Sequence, residues 1–342
     1  MSLETLEWLN KNTLIGFTEK RGTAWHHHRG MQGTESNHYA GAIPVEDVRR
    51  RLFGWESVPS EVYVKSPLTG YPERDDDRVA FSRSDTGRVL GYFGPGYEPH
   101  PYDEWLLNKV AQLLDDDLAV GSAGLLKGGA VAWVSVEVPE NVVTPEGVTF
   151  RPHLLATTSF DGSLATTYKP VVTNVVCDNT MHAALKESGQ VVKVKHSRKS
   201  VLKLAQARDA LNLVYRVADS FTDEVARLCR IDVDDRQWQD FLHAHAELPA
   251  KLGRGRTLVE RKRESLTHLW KNDARVAPWR GTAFGVVQAV NTYAHHGQVV
   301  RGATRPERNA LRSLTGDFDQ LHHRTLVSLS RVLDVPDLAP AT

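Results

Sequence analysis

Residues 153–176 read HLLATTSFDGSLATTYKPVVTNVV. Two runs rich in Thr, Val, Leu and Tyr flank Asp161-Gly162. β-Branched and aromatic side chains suit a pleated, half-buried surface. An Asp-Gly pair between two such runs predicts a β-hairpin, because a type I′ turn demands positive φ and glycine accepts it. Upstream, Ala130–Val138 (AVAWVSVEV), bounded by Gly128 and Gly129, is the clearest single strand. Shorter strand-like runs lie at Glu61–Lys65, Arg78–Ser82 and Arg88–Phe93, and GSAGLLKGG at 121–129 reads as a turn between strands. Helices fit among them near Leu3–Leu9, at PVEDVRRRLFGW (44–55) and at PYDEWLLNKVAQLL (101–114), whose apolar residues recur at helical spacing.

Beyond residue 180 the period changes. Val201, Leu204, Ala207, Leu211, Val214, Ala218, Phe221, Val225 and Leu228 recur at threes and fours, behind Ser197 as a cap. Pro278–Gly297 predicts a second helix. Thr304 and Glu307 predict a capping box for a terminal helix faced by Leu311, Leu314, Phe318, Leu321, Leu329 and Leu333. The predicted class is therefore α+β: a strand-rich N-terminal half with an antiparallel sheet and a helix-rich C-terminal half. The expected organisation is a mixed sheet region over 1–180, a mostly helical region over 181–334 packing on it, as one continuous domain or two, and a frayed tail over 335–342.

The chain has 342 residues, 41% hydrophobic and 25% charged, which is ordinary globular composition. Its two cysteines, Cys177 and Cys229, make no disulfide framework, so a reducing compartment is expected. No apolar run reaches the roughly 18 residues of a membrane helix. The opening MSLETLEWLNKNTL lacks a basic-then-apolar signal segment, so neither secretion nor a membrane partner is expected. The net charge of zero conceals an asymmetry. Residues 181–342 hold 26 Lys and Arg against 18 Asp and Glu, a net of +8, while residues 1–180 hold 16 against 24, a net of −8. Two basic clusters stand out: Lys193, Lys195, Arg198, Lys199 and Lys203, then a run from Lys251 to Arg280 that includes Arg261, Lys262 and Arg263. Such clusters are either phosphate contacts or the solvated faces of helices.

Sequence motifs for common chemistry are absent. There is no G-x-x-x-x-G-K-[ST], no G-x-G-x-x-G, no H-E-x-x-H and no G-x-S-x-G, and the cysteines are too far apart for a C-x-x-C pair. No cofactor and no metal are expected. Histidines recur in pairs and as the run His26–His28, without the carboxylate spacing of a chelate. Four features are candidate site-lining positions. Cys177, in VVCDNT, sits at a strand end before a helix start that would lower a thiol pKa. Asn179 lies beside it. Gln288 and His296 belong to the polar side of the Pro278–Gly297 helix. Trp25 and His26 lie on an irregular glycine-rich segment, where rings stack on bases or pin an arm.

Several blocks resemble a known family. TAWHHHRG (23–30), SDTGRVLGYFGPGYEP (84–99), GSAGLLKGGAVAW (121–133) and SFDGSLATTYKPVVTNVVCDNT (159–180) occur in order. VKVKHS (192–197) follows, then an A-V-x-x-Y-x-x-H pattern at Ala289, Val290, Tyr293 and His296. Together they resemble the phage/plasmid-like protein family of phages, prophages and plasmids. The histidine run departs from that family's simpler A-W-H-G, and Gln288 stands where it has Asn. The resemblance implies a mobile-element gene in a bacterial host, with no agreed active site.

The resulting expectation is a cytoplasmic nucleic-acid-binding accessory protein of phage or plasmid DNA metabolism, of single-strand annealing or recombination type. It would act as a homo-oligomer, with single-stranded DNA as partner. Lys193, Lys195, Arg198, Lys199, Lys203, Arg261, Lys262 and Arg263 would contact phosphates. Two alternatives stay open. One is an enzyme with a pocket near Cys177 and His296. The other is an oligomeric assembly or host-interaction protein built on the long amphipathic helix.

Overall fold

A computed structural model describes residues 11–16, 37–111, 119–138, 141–174, 179–181, 192–196, 204–301 and 305–338. The predicted helix at Leu3–Leu9, Trp25, His26, Cys177, Arg198, Lys199, Lys203, the Ser197 and Thr304 caps and the end of the tail lie outside the described residues. The architecture is α+β, with antiparallel sheets in the N-terminal half and helices in the C-terminal half. No described helix is long and apolar enough to cross a membrane. The chain divides into two compact units. The first takes residues 1–140, 153–170 and 189–214, and the second 141–152, 171–188 and 215–342.

In the first unit, β1 (Thr13–Gly16) pairs in parallel with β2 (His38–Tyr39) and helix α1 spans Val45–Leu52. Strands β3 (Ser57–Lys65), β4 (Pro72–Arg83) and β5 (Val89–Phe93) form a small antiparallel sheet. A π-helical turn, Asp103–Asn108, and Lys109–Ala111 buries Trp105, Leu106, Leu107 and Val110. Strands β6 (Ala119–Leu126) and β7 (Val131–Glu137) form a hairpin. The larger sheet also takes in β8 (Val142–Val143), β9 (Thr149–Ser159), β10 (Thr166–Asn174), β11 (Asn179–Met181) and β12 (Val192–Val194), of which β8, β11, the start of β9 and the end of β10 belong to the second unit. Its strand order is β11-β10-β9-β7-β6-β1-β2, with β12 also paired to β10 and β8 to β9. Strand β7 is buried along its whole length, and Leu106, Val120, Val134, Leu154, Phe160 and Tyr168 sit together in this unit's core.

Two local readings are corrected. GSAGLLKGG is mostly strand: β6 runs to Leu126, and only Lys127–Gly129 turns. The β9–β10 hairpin is present, but its connection is the six residues between Ser159 and Thr166, not a two-residue turn. Gly162 has φ 72°, whereas Asp161 is not among the positive-φ residues, so type I′ geometry does not form. The Asp161 carboxylate instead accepts from the Ser163 amide at 2.9 Å and from Lys127 Nζ at 2.9 Å.

In the second unit the helices are α2 (Leu204–Cys229, which enters it at Tyr215), α3 (Asp235–His245), α4 (Arg254–Asn272), α5 (Ala283–Thr292), α6 (Arg305–Thr315) and α7 (Asp317–Leu333). Helix α3 starts at a capping box between Asp234 and Gln237. The single helix read over Pro278–Gly297 is three pieces: a 3-10 turn at Ala277–Trp279, α5 capped by Thr282, and a π-turn at Tyr293–Gly297. The terminal helix divides at Gly316 into α6 and α7. Helix α5 is buried on every side, which explains its low charge. Around it pack Phe221 and Val225 of α2, Trp238 and Phe241 of α3, Trp270 of α4 and Leu326 and Leu329 of α7. Trp238 and Trp270 stack at 4.7 Å, and Trp279 donates to the Glu146 carbonyl at 3.0 Å.

Candidate nucleic-acid interface

Helix α6 carries Arg305, Arg308 and Arg312 at spacings of three and four, which places them on one face. The end of the preceding helical segment holds them there. Carbonyls at a helix C-terminus carry partial negative charge and attract guanidinium groups. Arg308 donates to the Ala294 carbonyl at 2.7 Å, and Arg305 to the His295 carbonyl at 3.3 Å. Asn309 adds a second donor to His295 at 3.1 Å. Gln298 Oε1 accepts from Arg312 at 3.0 Å and from Arg308 at 3.4 Å, tying the two together. Arg312 also lies 4.6 Å over the Phe318 ring, which stacks on the His295 imidazole at 3.9 Å.

Positive charge continues onto two further helices. Burial, then Arg312 and Arg305, push the Arg308 pKa down to about 10. Arg312 is lowered by burial and by Arg324 of α7, against the raising effect of Asp317. Arg324 in turn depresses Lys262 of α4, whose main burden is burial. Burial, Lys262 and Arg324 together hold His245, at the end of α3, down to about 4. Arg308 thus senses Arg312 and Arg305, while Arg324 acts on both Arg312 and Lys262. Among the described residues, Asp317, 3.8 Å from Arg312, is the only carboxylate paired with any of them.

A family profile matches residues 89–315, two-thirds of the chain. The protein belongs to the family of the domain of unknown function DUF932. No match is found among curated proteins or solved structures. The DUF932 segment runs from β5 to the end of α6, so it contains Lys262, Arg305, Arg308 and Arg312 and stops short of Arg324.

The residues singled out from sequence fall in different places. Lys262 is one of the cations that Arg324 acts on. Arg261, its neighbour, is exposed on α4. Arg263 is half-buried and donates to the Ala246 carbonyl at 2.8 Å, which anchors the segment after α3. Lys193 and Lys195 are exposed on and just after β12, in the first unit. Gln288 is fully buried on α5, His296 is half-buried in the π-turn, and Asn179 opens β11 opposite Asn174. Sequence reasoning missed Arg305, Arg308, Arg312 and Arg324. The R-x-x-R-x-x-x-R spacing of 305–312 was the available signal.

The DUF932 segment holds a second polar cluster, within the first unit. Tyr97 Oη lies 2.6 Å from His196 Nδ1, and His196 Nε2 lies 3.0 Å from Thr158 Oγ1. Thr158 and Thr166 are 2.7 Å apart, and Thr166 is 2.6 Å from His100 Nδ1. His100 is stacked between Trp105 at 3.7 Å and His196 at 4.2 Å. Burial holds both imidazoles neutral, with pKa values near 3 for His100 and near 4 for His196. The cluster fastens the stretch after β12 to the sheet. Among the described residues, no three His, Cys, Asp or Glu side chains are grouped to hold a metal ion.

Proposed function

We propose that this DUF932 protein is a nucleic-acid-binding accessory protein of phage or plasmid DNA metabolism, acting in the cytoplasm of a bacterial host on single-stranded DNA. The observation that carries the reading is the face of α6 that bears Arg305, Arg308 and Arg312, where Asp317 is the one paired carboxylate among the described residues, with Arg324 and Lys262 adding positive charge. Arg305 to Arg312 alone spans about 10 Å along α6 at 1.5 Å per residue. Planar guanidinium groups bind phosphate oxygens bidentately and ignore the base, which suits a protein that must accept any sequence. Annealing and recombination accessories need that kind of contact. The resemblance to a mobile-element family supports DNA metabolism as the setting.

The test is photo-crosslinking to a halouracil-substituted single strand, with the attached peptides identified by mass spectrometry. The reading expects crosslinks at Lys262 and within 305–324. Crosslinks confined to the β12 region around Lys193 and Lys195 would place the interface elsewhere, and an absence of crosslinks at low salt would remove the function.

A further inference from the structure

Strands β3 and β4 continue past their sheet. Strand β5 pairs only with Val79–Ser82 of β4, whereas β3 and β4 stay paired out to Lys65 and Pro72. The result is a bare two-stranded ribbon with a tip at 66–71. Two strands alone are marginal in water, yet this ribbon exposes Tyr63 (56%), Val64 (55%), Leu68 (94%) and Tyr71 (74%). It is also acidic. From Glu61 to Arg78 it carries Glu61, Glu73, Asp75, Asp76 and Asp77 against Lys65, Arg74 and Arg78. Arg74 is shared by Glu61 at 2.6 Å and Asp76 at 2.9 Å, and Arg78 faces Asp75. Glu73 and Asp77 have no cationic partner among the described residues.

The second unit offers the complement. The start and outer face of α4 expose Leu252 (83%) and Leu258 (55%). Around them stand Lys251, Arg254 and Arg261, all exposed and in no ion pair among the described residues, with Glu264 at the far margin. Arg254, Leu258 and Arg261 are spaced by four and three and so share one stripe.

We infer that the β3–β4 ribbon of one copy docks on the outer face of α4 in a second copy, Leu68 and Tyr71 covering Leu252 and Leu258 while Glu73 and Asp77 meet Lys251, Arg254 and Arg261. Both surfaces expose apolar groups rimmed by opposite charge, which is how a contact core and its polar rim are built. The contact is heterologous: each copy has one ribbon and one α4 face to offer. Repetition gives a ring where the rotation closes and a filament where it does not. This assignment uses neither nucleic acid nor the α6 arginines, so it stands or falls apart from the proposed function.

Light scattering on the DNA-free protein tests it with two exposed-surface variants, each checked for native circular dichroism. Leu68→Asp with Tyr71→Asp spoils the ribbon; Leu252→Asp with Leu258→Asp spoils the α4 face. The wild type is expected to have a mass of several chains, and each variant alone the mass of one. An equal mixture should give two-chain particles and nothing larger, because one intact ribbon then meets one intact helix face. A wild type that stays at one-chain mass overturns the inference. So does a variant that keeps the wild-type mass, or a mixture that remains single chains.

Discussion

Replacing Lys262 by methionine removes a charge and keeps the stem. Lys262 is half-buried, and both burial and the neighbouring Arg324 work against its protonated form. It is in no ion pair among the described residues. A structural lysine would have one, and its loss would weaken the fold. Here the reverse is expected. A like-charge neighbour on a helical surface costs about 0.2–0.5 kcal/mol, and partial desolvation of the ammonium adds a comparable amount, so Lys262→Met should gain about 0.5–1 kcal/mol. For a unit of this size that raises the unfolding midpoint by about 1–4 °C. The Coulombic part should vanish at 1 M salt, where screening acts within about 3 Å. The same substitution should weaken binding to single-stranded DNA by about 1 kcal/mol, roughly fivefold. Thermal unfolding at low and high salt, with fluorescence anisotropy on a labelled oligonucleotide, reads both quantities. A methionine variant that is less stable at low salt, or that binds as well as the wild type, refutes the reasoning.

Two further outcomes follow from packing and protonation. Gly285→Ala would normally strengthen a helix by about 0.5–1 kcal/mol, but a Cβ there stands 2.2 Å from the Trp279 carbonyl oxygen and 3.1 Å from Trp270. Backbone must move, so a loss of about 1–3 kcal/mol is expected in urea unfolding, and a gain would show that α5 is seated differently. His100 and His196 are neutral in the fold, with pKa near 3 and near 4, while an unfolded histidine takes up its proton near 6.5. The unfolded state therefore binds more protons below that value. The contribution of these histidines is complete above about pH 6.5 and drains away as the pH falls toward 4. A His196→Gln variant should lose less stability than the wild type between pH 6.5 and 4.5; equal losses would contradict the neutral, buried assignment.

What could be read from the sequence was local. The alternation around Asp161-Gly162 and the β-branched run at Ala130–Val138 are properties of short windows, and both appear as β9–β10 and β7. The hairpin loop was not legible, because Asp161 is held by Lys127 from the distant β6–β7 turn. The break at Gly316 was overlooked for another reason: the apolar spacing continues through it. The +8 excess pointed to the half that contains the candidate interface, yet it could not say what each cation is paired with. In the run from Lys251 to Arg280, Arg275 is held by Asp273 at 2.6 Å, Arg280 by the Trp270 carbonyl at 3.0 Å and Arg256 by Glu260 at 3.0 Å. Lys262 senses Arg324 from a different helix, and Arg324 also acts on Arg312, which no single window displays.

The central claim is that these cations meet phosphates. Its most direct test is the salt dependence of single-stranded DNA affinity, measured for the wild type and for an Arg308→Gln, Arg312→Gln, Arg324→Gln triple variant. Each phosphate contact to a single strand contributes about −0.7 to the slope of log K against log salt, so the triple variant should have a slope shallower by about 2. Affinity at low salt should fall with it. Equal slopes in the two proteins, or a wild type that does not bind at about 50 mM salt, would contradict the account.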